Sequence, residues 1–260
     1  MKKITLLFSF FAFLFLSCAN DDDSQQIDDM SNVLLQKIVT QSEDGNYETV
    51  LKYDGKKLVE AKSALQNKQF NYTGDKITKI SWYTNPNADN QLMQYVDFEY
   101  LPDGKLKSFK KYINAPINVE FTYFGEDTVN FVATAERGAY SFYGYFKVKN
   151  NEISQYVYLD GGRPRPSVNY QYDEKNHPLR NVTGYGNLFL FHYFCSSFHV
   201  DGFTTNIGSS KNCISNSLID NPSVIEITNT YEYNNDGFPK TIRQNDDSST
   251  SDSLFSVSYT

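Results

Sequence analysis

The stretch FNYTGDKITKI, Phe70 to Ile80, decides the fold. Phe70 and Tyr72 alternate, so both rings lie on one face of an extended strand. Gly74 then supplies the positive φ that a short hairpin turn demands. Ile77 and Ile80 cannot share a face of one unbroken strand, so either Ile77 closes over the turn or a β-bulge intervenes. The stretch reads as strand, tight turn and second strand.

Variants of this unit recur along the chain. Leu51, Tyr53, Gly55, Leu58 and Ala61 form one copy, and Phe98, Tyr100, Gly104, Leu106 and Phe109 another. Phe121, Tyr123, Gly125, Val129 and Phe131 keep the spacing well. Phe146, Val148 and Ile153 keep it poorly, Tyr170, Tyr172, Asn176 and Leu179 put asparagine in place of glycine, and Tyr231, Tyr233, Gly237 and Ile242 close the series. A repeated supersecondary unit argues for stacked hairpins. The expected fold is all-β, an antiparallel sheet of consecutive hairpins over residues 33–260. A short helical or irregular insert interrupts it near 184–222. The last segment, LFSVSYT, alternates Phe255, Val257 and Tyr259 on one face.

At LKYDGKKL, FEYLPDGKLKSF and YEYNNDGFPKTI the chain resembles the YD-repeat, RHS-like proteins, and more closely the small lipoproteins of Bacteroidetes-type bacteria that carry such repeats. The likeness covers roughly residues 33–183 and 224–260, and it weakens at Asn150 and Asn176, where glycine is lost. It implies an antiparallel sheet of YD-like hairpins and brings no catalytic residues.

The first 17 residues read as a secretory signal: Lys2 and Lys3, then the apolar run Ile4 to Leu16, too short for a stable transmembrane helix. The run ends FLSC, which resembles a bacterial lipobox and makes Cys18 the expected lipidation site and membrane anchor; an ordinary cleaved signal is the alternative. Residues 18–32 are polar and acidic and read as a solvated tether, similar to a surface-export tag. The expected address is the outer membrane, on the cell-surface or periplasmic face. A formal charge of −7, more negative without Lys2 and Lys3, argues against nucleic acid as a partner.

Residues 184–222 lack the repeat. NLFLFHYF within them is too continuously apolar for an exposed strand and reads as a short helix or a buried strand covering an aromatic face of the sheet. The insert also holds Cys195 and Cys213, which an oxidising compartment would join as a disulfide, with two free buried thiols as the alternative. Were 192–199 helical, His192, Cys195 and His199 would share a face, and Cys213 could complete a tetrahedral zinc site. No cofactor is expected otherwise.

Catalytic signatures are missing: there is no nucleophile elbow, HExxH, P-loop or EF-hand loop. Two function classes follow. One is a non-enzymatic surface or periplasmic lipoprotein with a structural role or one in binding a glycan or a protein; most of its aromatics then serve packing, and Trp82 and Tyr83 are the candidate contact. The other is a polysaccharide hydrolase using a carboxylate pair.

Overall fold

A computed structural model describes residues 32–260 apart from 43–44, 85–89, 113–115, 137–140, 161–162, 165–166, 195–207, 222–224 and 247–252. Cys18 and the segments before and around it lie outside the described residues. The strands are β1 (Leu35–Ser42), β2 (Gly45–Asp54), β3 (Lys57–Lys62), β4 (Gln66–Thr73), β5 (Lys76–Thr84) and β6 (Leu92–Tyr100). They continue as β7 (Leu106–Tyr112), β8 (Ile117–Phe124), β9 (Thr128–Ala135), β10 (Ser141–Lys149), β11 (Glu152–Asp160) and β12 (Arg163–Pro164). The last are β13 (Val168–Tyr172), β14 (Cys213–Leu218), β15 (Ile225–Tyr233), β16 (Pro239–Asp246) and β17 (Ser253–Tyr259).

Every pairing is antiparallel, and each strand but β12 lies beside the next in sequence. The chain was expected to leave an open array of hairpins. Instead β1 pairs with β2 on one side and with β17 on the other, Leu35 opposite Tyr259 and Ile38 opposite Val257. With β11 reaching past the two-residue β12 to β13, a 16-strand ring closes. Closure leaves the ring without a sheet edge, which is the physical gain of a barrel over an open array.

The hairpin unit is built as its spacing demands. Gly55, Gly74, Gly104 and Gly237 have φ of 58°, 58°, 91° and 74°. The register shifts between Asn71 and Tyr72, so that Tyr72 faces Ile77 while Phe70 faces Ile80. A bulge therefore brings both isoleucines to the buried face, and the same shift precedes Tyr53 and Tyr100. The second aromatic of the unit has a use that spacing alone does not disclose. In three copies its hydroxyl donates to a backbone carbonyl of the strand before it: Tyr53 to Leu35 (2.7 Å), Tyr100 to Ile77 (2.6 Å) and Tyr123 to Leu106 (2.8 Å). Ile77 and Leu106 stand at bulges, where the ladder is locally broken and a carbonyl needs another donor. In these copies the repeat thus staples its hairpin to the strand before it.

The described residues between β13 and β14, 173–194 and 208–212, fold into the barrel. A short 3-10 helix, Tyr185–Leu188, runs into α1, Phe189–Phe194. The short helix expected in the insert is present, while its last residues, from Cys213, join the wall as β14. The segment touches the ring on all sides: Asn181 Nδ2 donates to the Val33 carbonyl, Thr183 N to that of Lys56, and Phe191 stacks edge-on against Phe98 and Phe109. Only a segment inside the barrel can do this. It is a plug, where the sequence led to the expectation of a cover over an open sheet.

Candidate functional site

The two faces of the barrel wall decide what is possible. Directly opposed residues share a face in an antiparallel sheet. Inward runs Phe98 opposite Phe109, Phe109 opposite Val119 and Val119 opposite Ala133; all are buried. Outward, Lys52 faces Glu60, Glu60 faces Gln69, Gln69 faces Ser81 and Ser81 faces Tyr95. Another outward row runs Asp97, Lys110, Asn118, Thr134 and Ser141. Ion pairs lie along this face, among them Lys107 with Glu99 (2.9 Å) and Lys79 with Asp97 (3.7 Å).

A barrel embedded in lipid carries the opposite pattern, an apolar outer band around a polar interior. Each lysine or arginine held at a bilayer midplane would cost about 2–4 kcal/mol. The outward rows named above do not carry such a band. The interior is filled by rings: Phe191 lies 4.8 Å from Phe98, Phe194 5.1 Å from Phe131, and Tyr193 4.1 Å from Tyr156. Gly144 allows the tightest approach, since a Cβ there would meet the Val157 carbonyl at 2.0 Å.

Polar groups moor the plug. The buried Glu152 carboxylate accepts from the backbone N–H groups of Ser209 (2.8 Å), Ser210 (2.7 Å) and Lys211 (3.0 Å) and from both serine hydroxyls. Asp173 accepts from the Asn212 backbone and side chain, from Lys175 N and from the Tyr233 hydroxyl. His177 Nδ1 accepts from Leu179 N at 3.1 Å, and Gly184 sits where a Cβ would meet the Asp75 carbonyl at 2.5 Å. Nothing in the sequence marks Glu152, Asp173 or Asn212, because each resembles a solvated turn residue until the fold brings its partners from far along the chain.

The expected site residues fare differently. Trp82 and Tyr83 are consecutive on β5 and point to opposite faces: Trp82 pairs with Lys68 and Gln94 and packs on the core, while Tyr83 lies outside. They form no common platform. His192 is buried and stacks on Tyr185 at 4.4 Å. Cys213 is buried at the start of β14, and burial pushes its thiol up to about 12. Cys195 and His199 lie outside the described residues, and the disulfide and the four-ligand zinc set lie outside with them; among the described residues no cluster of metal-ligating side chains occurs.

No protein-family model matches the chain, and neither does any curated protein. Solved structures do. A porin-like protein from Bacteroides vulgatus superposes with a TM-score of 0.54 at 15% identity, covering 88% of this chain and 99% of its own. A porin-like protein from Bacteroides uniformis gives 0.49 at 12%, covering 87% and 98%. The first of these likenesses corrects the resemblance drawn from the hairpin motif. The chain is a porin-like closed barrel in fold, not an RHS-like array of YD hairpins. The reading as an anchored binding lipoprotein, with a polysaccharide hydrolase as its alternative, falls with that array. Its aromatic face is the inside of the barrel, already occupied by the plug.

Proposed function

We propose that the protein is a porin-like barrel of the outer membrane that does not conduct: a plugged barrel lying against the membrane with its wall in water. The address is supported by the porin-like Bacteroides neighbours, porins being outer-membrane barrels. One observation carries the non-conducting reading. The face that would have to meet lipid holds Lys52, Glu60, Asp97, Lys107 and Lys110, while the face that would have to conduct is packed with phenylalanine.

Two measurements test it. Added to planar bilayers, the purified protein is expected to give no conductance steps, and it should remain monodisperse without detergent. Stable channels from detergent-solubilised protein would overturn the reading. In cell fractionation the protein should follow the outer membrane; recovery in the cytoplasmic fraction would remove the address.

A further inference from the structure

The barrel and its plug do not meet everywhere. At the turn end a hollow of ≈ 350 Å³ lies between the hairpin turns β6–β7 and β8–β9, the ends of β9 and β10, and the plug's 3-10 helix. A larger depression, ≈ 740 Å³, lies on the outer wall along β2 and β3, but Lys52, Glu60 and Lys62 line it and nothing closes over it. The turn-end hollow is the one with an apolar floor: Leu106, Val129, Val148 and Phe189, beside the ring of Tyr123. Such a floor with a few polar groups at its mouth is the ordinary make-up of a small-molecule site, and the volume falls within the usual range.

The mouth carries a definite charge. Asp103 is paired with Lys105 at 3.5 Å, and Asp127 nearby with Lys147 at 3.4 Å. Lys105 also lies 5.2 Å over the Tyr123 ring. Glu126 lines the mouth, is exposed, and has no ion pair among the described residues. Asn151 and Asn187 stand beside it with exposed side chains. The unmatched charge at the entrance is therefore negative, and the surface behind it is aromatic and aliphatic.

We propose that this hollow binds a small ring-bearing amine, its ring against Phe189 and the aliphatic floor and its ammonium at Glu126. The site goes beyond the function proposed above and stands or falls separately from it, because it requires neither membrane contact nor an empty lumen. An aromatic or alicyclic ring with one short arm is of the right size, and a charge-assisted hydrogen bond to Glu126 separates an amine from a neutral or anionic analogue.

Benzylamine, benzyl alcohol and benzoate serve as probes of equal size and different charge, followed by ligand-observed NMR titration of the purified protein. Benzylamine is expected to bind saturably and about tenfold more tightly than benzyl alcohol, with benzoate weakest. Glu126→Gln should abolish the preference for the amine while the ring still binds. Gly186 lines the hollow, and a Cβ there would meet nothing nearer than the Ser209 Cβ at 3.8 Å, so Gly186→Leu should fill the space and end binding of all three with an unchanged circular dichroism spectrum. Glu126 is an exposed turn residue, so its variant keeps the test open even where Gly186→Leu fails to fold. Benzoate binding as tightly as benzylamine, an undiminished amine preference in Glu126→Gln, or no saturable binding of any probe would overturn the proposal.

Discussion

The inner and outer faces of the wall come from alternate residues of the same strands, and they obey different rules. On β9, Phe131 is 1% exposed and sits within 5.2 Å of Phe146 and 5.1 Å of Phe194, while its neighbour Val132 is 50% exposed. Inside, residues are held by volume and by the partners their polar tips can find; outside, by little more than solubility and β propensity. A porin-like fold therefore does not fix which face meets which solvent. The same ring of strands serves water outside and a packed core inside once the alternation is reversed.

The sharpest way to break this comparison is alkali. Burial pushes the hydroxyls of Tyr53, Tyr72 and Tyr100 far above their ordinary value, with neighbouring tyrosines adding to it at Tyr53 and Tyr100. Their folded values are raised, so the stability they hold is fully present below about pH 10, where the unfolded chain begins to ionise, and is lost as pH rises. Each should remove about 1.4 kcal/mol per pH unit above that point. We expect cooperative unfolding above about pH 10, with the absorbance of these tyrosinates appearing together with the loss of circular dichroism. Ionisation of the whole set within an intact fold would mean that the inner face is wet.

Next in size is a pair of substitutions on one strand. Phe131→Ala should cost about 3–5 kcal/mol in urea unfolding, by lost transfer and an unfilled cavity. Val132→Ala, one residue on, should stay within about 0.5 kcal/mol. Equal losses would show that the faces are not distinct.

Smaller again is the staple. Tyr100→Phe keeps the ring and removes the donor to the Ile77 carbonyl, which should cost about 1–3 kcal/mol because a part-buried acceptor is left unpaired. The unfolding midpoint reads this directly, and an unchanged midpoint would reduce the staple to a coincidence of packing. At the bottom of the scale stands Lys107→Ala. It breaks an exposed pair with Glu99, whose carboxyl is held below its usual range first by the hydrogen bond from Lys107 and then by its charge. No resolvable change in melting temperature is expected at neutral pH. What little the pair contributes is present above the ordinary carboxylate range and disappears on acidification through the lowered value.

How much of this was legible in the sequence depends on the distance over which each feature is decided. The hairpins were, because Tyr72, Gly74 and Ile77 settle strand and turn within a few residues and narrow the rest to a bulge or a closing Ile77. The burial of NLFLFHYF was legible too, from its continuous apolar run, though that run left helix and buried strand open. The closure was not: it rests on β1 meeting β17, and the alternation of Phe255, Val257 and Tyr259 says that one face is buried without saying against what. For the same reason Trp82 could be taken as a ligand platform. An aromatic on an alternating strand looks the same whether it faces a sugar or a plug, and Glu152 looks like any turn carboxylate until residues 209–211 arrive.

The pairing of β1 with β17 also sets an order of events in time. Thr260 N donates to the Leu34 carbonyl at 3.0 Å, so the first and last parts of the described chain meet side by side. While the chain emerges from a ribosome, the growing sheet has two open edges, each a template for another copy, and neither can be satisfied until β17 is available. Contacts of such long sequence separation form slowly. The protein should therefore depend on holdase chaperones during synthesis. Because Leu34 and Thr260 lie side by side, a circular permutant that joins these two positions and is reopened at the Gly237 turn should reach the same barrel by a different route.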